Sequence, residues 1–248
     1  MDGKDPFGAL IIHGLSAALN CVAGVEEAIR ELGLPTRMPV LRGHGADSPE
    51  ALRDIRWPDW VADGEAALDD LLTEVNQAIL FGHSMGGLVA LHLAADRTDE
   101  IDSLVLAAAA IQLTSPVAPG RPLSFLLPLV ERLLDTYDMP PVYVDEDQAK
   151  TDATYDWLPI EAVSSFLTFS KVTRSRLPEI TVPTLIMQSR ADTTVAPESA
   201  EIIYRHIATP KPQKRIVWFE KTEHEMFRDI ERQAAIQTVA DFVKGRVG

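Results

Sequence analysis
One stretch constrains the chain more than any other: Ala78-Ile79-Leu80-Phe81-Gly82-His83-Ser84-Met85-Gly86-Gly87-Leu88-Val89-Ala90-Leu91. It begins as an apolar run of strand length, Ala78 to Phe81, and ends in an apolar helix pattern from Leu88 onward. Gly82-His83-Ser84-Met85-Gly86 lies between them and fits Gly-x-Ser-x-Gly. A strand that turns into a helix over one residue forces that residue into a strained conformation, often with positive φ. Ser84 is that residue, and its hydroxyl stands clear of both elements. Gly82 and Gly86 lie where strand and helix come too close for a side chain. A chance match in a glycine-containing turn is the competing reading. The strand before and the helix after favour a true elbow.

At 248 residues the chain has room for one α/β domain with a sizeable core, although length alone also admits two. Its 46% apolar and 24% charged residues are ordinary for a soluble globular protein. The net charge of −14 opposes phosphate backbones and anionic bilayers. No basic patch offsets it and no apolar run reaches membrane-spanning length, so neither nucleic acid nor stable membrane insertion is expected. The single cysteine, Cys21, rules out an intramolecular disulfide and reads as a small apolar filler. Met1-Asp2-Gly3-Lys4-Asp5-Pro6 lacks the basic-then-apolar order of a secretion signal, so a cytoplasmic location is expected.

Taken in order, Phe7–Ile12 reads as a buried strand, Asn20–Leu32 as a helix and Thr36–Leu41 as a short strand. A helix opens at Trp57, with Leu71, Leu72 and Val75 on its apolar face. After the elbow come a strand over Ile101–Ala110, then strand, helix, strand and helix over Val182–Gln188, Ala196–Ile207, Lys214–Phe219 and Phe227–Val243. Such alternation predicts an α/β fold, a mainly parallel sheet with helices on both faces and ligands beyond the carboxyl ends of the strands. Residues 111–181 break the alternation. They are rich in Pro, Leu and Phe, and a connection this long is usually functional or structured. The reading is a core over 1–110 and 182–248 with a small, partly helical cap over 111–181. Leu123, Phe125, Leu126, Leu127, Leu133, Leu134 and Phe166 are expected to pack on the core or line an acyl tunnel beneath the cap.

A serine hydroxyl needs a base that is near it in space. Of six histidines, His224 falls in the loop after the last strand, at the active edge, and completes the order serine, acid, histidine. The acid is Asp192, just beyond the strand ending at Gln188; a surface turn aspartate is its bland alternative. Glu223 and Glu225 flank His224 too closely to face its ring and read as solvent-facing charges. Acyl transfer also needs donors for the oxyanion. The N–H of Met85, at the start of the helix, supplies one. The loop His13-Gly14-Leu15-Ser16 supplies the other through the N–H of Leu15, with Ser16 as the local alternative and His13 bracing the loop. His224 must be neutral to act, so activity is expected to fall as pH drops through its ionisation, near neutrality or below. Histidine and acid pairs at metal-ligand spacing are absent from the sequence, so neither metal nor cofactor is expected.

His13-Gly14-Leu15, Arg42-Gly43-His44-Gly45, Asp59-Trp60, Gly82-His83-Ser84-Met85-Gly86-Gly87, Gln188-Ser189-Arg190-Ala191-Asp192 and His224 occur in one order. In that order the chain resembles the small bacterial carboxylesterases and monoacylglycerol lipases of the α/β-hydrolase fold, over nearly its whole length. The resemblance implies a Ser84–His224–Asp192 triad with backbone donors at Leu15 and Met85. It implies a serine carboxylic-ester hydrolase for short-to-medium-chain esters, monoacylglycerols included. The partner is then a small-molecule ester, and the protein a monomer or homodimer. Asp152-Ala153-Thr154-Tyr155-Asp156-Trp157-Leu158-Pro159-Ile160 is similar to the lipase cap segment that holds glycerol by a carboxylate, with Asp152 where those lipases carry Glu. A solvated helix-cap residue is the other reading of Asp152. A C–C bond hydrolase, a perhydrolase or a non-catalytic ligand binder would keep the same fold.

Overall fold
The computed structural model describes residues 3–17, 19–140, 142–151 and 154–248. In chain order its elements are β1 (Asp5–Ile12), α1 (Ala23–Glu31), β2 (Thr36–Arg37), α2 (Trp57–Leu72), β3 (Val75–His83), α3 (Met85–Asp96), β4 (Ile101–Ala107), α4 (Leu127–Leu133), β5 (Thr136–Asp138), α5 (Glu146–Lys150), β6 (Trp157–Pro159), α6 (Ile160–Arg176), β7 (Thr184–Ser189), α7 (Glu198–His206), β8 (Lys214–Phe219) and α8 (Arg232–Val247).

Six strands form one parallel sheet in the order β2-β1-β3-β4-β7-β8. Its strands are apolar on both faces because both faces are covered. Leu10, Ile12, Leu80, Leu104 and Leu106 point into one core with α2, α3 and α6. Ala9, Ile11, Ile79, Phe81, Val105 and Met187 point into the other, against α1 and α8. That period-two split makes the strand runs look uniformly hydrophobic. The chain leaves β1 toward β2 on one side and returns to β3 on the other. The loops after β1 and β3 therefore diverge at a switch point, where open parallel sheets bind ligands.

Several boundaries differ from the sequence reading. The strand expected over Thr36–Leu41 is only Thr36–Arg37, because Pro39 has no N–H to extend the ladder. Val75 opens β3 opposite Asp5 rather than closing α2. The last helix begins at Arg232, not Phe227. The residues before it form turns, with Arg228 N–H bonded to the Glu225 carbonyl.

Residues 111–181 hold α4, α5, α6 and an antiparallel β5–β6 pair. α6 lies on the core: Phe169 stacks on Trp57 with ring centroids 5.2 Å apart, and Phe166 is buried. Leu123, Phe125, Leu133 and Leu134 instead face solvent, as does Leu129, with Phe125 72% exposed. The short α4 meets α6 through Glu131, which accepts from the Ser164 hydroxyl at 2.5 Å. Its leucines at 129 and 133 are left outward.

Candidate active site
Ser84 sits between β3 and α3 with φ 54° and ψ −115°. A Cβ on Gly82 would lie 2.3 Å from the Gly86 carbonyl oxygen, and one on Gly86 only 2.2 Å from that of Ile12. Only glycine permits strand and helix to approach this closely. Ser84 is fixed in place by donating its N–H to the Ala107 carbonyl at 2.9 Å and accepting from Ala110 N–H at 3.2 Å.

The structure brings the three predicted side chains together. Ser84 Oγ lies 3.0 Å from His224 Nε2. His224 Nδ1 lies 2.9 Å from Asp192 Oδ2. All three residues are buried. Asp192 Oδ1 accepts the N–H groups of Thr194 at 2.9 Å and Val195 at 2.8 Å. Gln188 Nε2 donates to Oδ2 at 3.1 Å. With its oxygens so engaged, Asp192 presents a fixed acceptor to Nδ1, which sets the ring with Nδ1 protonated and Nε2 facing serine. Burial opposes charge on both groups. The His224 partner nonetheless holds the Asp192 carboxyl below its usual range, and the Asp192 carboxylate holds His224 above its ordinary 6.5. That direction argues against an ionisation below 6.5, the lower part of the expected range.

Glu225 is not a solvent-facing charge, and Glu223, half-buried, is engaged by the backbone. Glu225 is buried, and Glu223 accepts the N–H groups of Thr193 at 3.1 Å and His224 at 2.9 Å. Such acceptors pair backbone donors of a loop that has no ladder or helix partner for them. Glu231 takes the N–H groups of Lys221 and Thr222 at 2.9 and 2.8 Å. Ser189 donates its hydroxyl to the Thr222 carbonyl.

The loop after β1 abuts the elbow, since a Cβ on Gly14 would stand 3.1 Å from Ser84 Cβ. His13 braces it: Nε2 accepts from Leu41 N–H at 3.1 Å and Nδ1 donates to the Gly14 carbonyl at 2.8 Å. Ser16 has φ 64°. Its carbonyl accepts the N–H of Tyr155 at 3.0 Å. Leu15 N–H has no acceptor among the described residues. Met85 is the first residue of α3, where helical N–H groups lack internal partners.

Four further histidines, His13, His44, His83 and His92, are buried. Burial pushes His44 and His83 down to about 3 and His92 to about 4, and lowers His13. His83 Nε2 donates to the His224 carbonyl at 3.1 Å, behind the site. Cys21, His83 and Glu225 bring ligand atoms within 4.8 Å of one another, the group among the described residues that could hold a metal. Spacing along the chain gives no sign of it, because its members come from three distant segments. Asp152 lies outside the described residues. Sequence reasoning also misses Tyr155, Gln188 and Asp229, whose roles arise from tertiary contacts. Asp229 has one sequence signal, an acidic residue five positions after His224.

The parallel sheet and the serine elbow after β3, with its histidine after β8, define an α/β hydrolase. The chain belongs to the Hydrolase_4 family, described as serine aminopeptidase, S33, whose model matches residues 8–231. It is 27% identical over 246 residues to a thermostable monoacylglycerol lipase of Bacillus sp. (strain H-257), covering 98% of this chain and 92% of that one. It is 25% identical over 236 residues to a carboxylesterase of Bacillus subtilis (strain 168), covering 95% and 91%. Among solved structures it is similar to that of LipS and LipT, two metagenome-derived lipolytic enzymes, with a TM-score of 0.86, 23% identity and coverage of 98% and 95%.

Proposed function
We propose that this protein is a serine ester hydrolase that cleaves carboxylic esters through an acyl-enzyme on Ser84. The observation that carries the proposal is the unbroken contact from Ser84 Oγ through His224 to Asp192, with its two links at 3.0 and 2.9 Å. His224 Nε2 takes the hydroxyl proton as Oγ attacks the ester carbonyl. The N–H groups of Leu15 and Met85 receive the oxygen as it gains charge. His224 then returns the proton to the leaving alcohol. Water, activated by the same ring, releases the acid.

Substrates are short-to-medium-chain esters, monoacylglycerols among them, a reading supported by relatives named monoacylglycerol lipase and carboxylesterase. We take residues 111–181 as the cap that covers the site and Asp152 as a candidate for the glycerol hydroxyls. No helix among the described residues is long and apolar enough to cross a membrane. The test is a hydrolysis panel over p-nitrophenyl esters and mono-, di- and triacylglycerols, with Ser84→Ala as the control. Turnover of p-nitrophenyl butyrate and a monoacylglycerol, lost in Ser84→Ala, is the expected result. A wild-type protein that cleaves neither would overturn the proposal.

A further inference from the structure
Asp229 is fully buried, yet it lies outside the triad. Its carboxylate serves two segments of chain at once. Oδ2 accepts the N–H of Glu223 at 2.7 Å and the hydroxyl of Thr222 at 3.2 Å. Those two residues lead directly into His224. Oδ1 accepts the N–H of Asp145 at 2.8 Å. The N–H of Val144 reaches both oxygens at 3.1 Å. Val144 and Asp145 immediately precede α5, inside residues 111–181, and are separated from Asp229 by 85 and 84 positions.

Neighbouring side chains strengthen the same joint. The Arg228 guanidinium donates to the Tyr143 hydroxyl at 3.2 Å and to the Thr151 carbonyl at 3.3 Å. Arg232 lies 3.6 Å from the Asp145 carboxylate. Burial opposes ionisation of Asp229, but the N–H bonds from Glu223, Asp145 and Val144 outweigh it and hold the carboxyl below its usual range.

We infer that Asp229 is a positioning residue that couples the seating of residues 143–151 to the placement of His224. The inference rests on the reading of His224 as the base. An asparagine of the same shape has one acceptor oxygen where Asp229 has two. Its NH2 would face the Asp145 N–H in one orientation and the Glu223 N–H in the other, so it loses one of those two bonds and leaves the Val144 N–H to the single remaining oxygen. A catalytic base displaced by a fraction of an ångström loses rate while substrate binding is largely kept.

The experiment combines kinetics on p-nitrophenyl butyrate with hydrogen exchange. Asp229→Asn should lower kcat about ten- to a hundred-fold with KM within about two-fold. Asp229→Glu, which keeps two acceptor oxygens and the charge, should recover part of that loss. Val144→Pro deletes one of the two N–H groups that the far segment gives to Asp229, whereas Val144→Ala keeps it. Val144→Pro should lower kcat in the wild-type background and cost a smaller factor in Asp229→Asn, the signature of one shared path. Exchange in the peptide spanning 220–226 should rise in Val144→Pro and stay unchanged in Val144→Ala.

A kcat for Asp229→Asn within about two-fold of wild type overturns the coupling, as do losses that multiply in the double variant. Unchanged exchange at 220–226 in Val144→Pro overturns it independently of any turnover, and decides the matter should Asp229→Asn fail to fold. An inactive wild type, or an active Ser84→Ala, strikes instead at the ester-hydrolase reading.

Discussion
The backbone N–H of Tyr155 donates to the carbonyl of Ser16 at 3.0 Å, tying β6's approach to the loop that carries Leu15. The same tyrosine's hydroxyl accepts from Ala46 N–H at 3.0 Å and donates to the Gly43 carbonyl at 3.1 Å. Tyr155 thus joins three loops above the sheet edge. Tyr155→Phe removes the hydroxyl bonds and keeps the one to Ser16. It should cost about 1 kcal/mol in urea denaturation and leave kcat on p-nitrophenyl butyrate nearly unchanged. A large kcat loss without a stability change would contradict this division.

Ser84→Ala should reduce ester turnover by about a thousand-fold or more, and His224→Ala should do nearly the same. The double variant should be no worse than either single one, because the two act as a unit. Losses that multiply in steady-state assays would mean that serine and histidine act separately.

Gly86→Ala should be among the most damaging small substitutions in the chain. Its new Cβ would stand 2.2 Å from the Ile12 carbonyl oxygen and 2.6 Å from that of His13, both backbone atoms that cannot rotate away. A loss of about 3 kcal/mol or more is expected, read as a lowered melting temperature. Gly33→Ala offers a contrast: it has open space around it but a φ of 83°, so it should show only backbone strain of about 1–2 kcal/mol.

The pH profile should reflect the Asp192–His224 pair. Because that carboxylate raises the histidine above 6.5, the acid limb of kcat/KM should have its midpoint above 6.5. Activity rises with pH as Nε2 loses its proton. Asp192→Asn removes the carboxylate and should move the midpoint down while lowering the rate. A wild-type midpoint at or below 6.5 would contradict the upward shift from Asp192.

How much of this was legible in the sequence depends on whether the signal is local. The elbow is local: Gly82, Ser84 and Gly86 report a strand–helix turn within five residues, and the structure puts Ser84 at φ 54°. His224 and Asp192 are legible from chain order, since each follows a strand that ends at the same sheet edge. Glu225 is not, because the groups it meets, Cys21 and His83, come from distant segments of the chain. Nor is Asp229, whose partners at 144 and 145 are tertiary neighbours. The apolar residues around α4 mislead for the opposite reason. Hydrophobicity predicts burial, but Leu129 and Leu133 face outward because a seven-residue helix fixed by Glu131 has one inner side, and Phe125, in the turn before that helix, is exposed as well.

The buried histidines give this protein a second, separate sensitivity to acid. In the unfolded chain each would titrate near 6.5, whereas burial lowers His13, His92, His44 and His83, the last two to about 3. Unfolding below 6.5 therefore takes up protons that the native state refuses, and acid drives it. The stability tied to these rings is complete above 6.5 and drains away as pH falls toward 4 and then 3. Two kinds of acid inactivation should follow. The first is prompt and reverses on neutralisation, because only His224 has changed its charge in an intact fold. The second sets in at lower pH, is slower, and reverses only as far as the chain can refold.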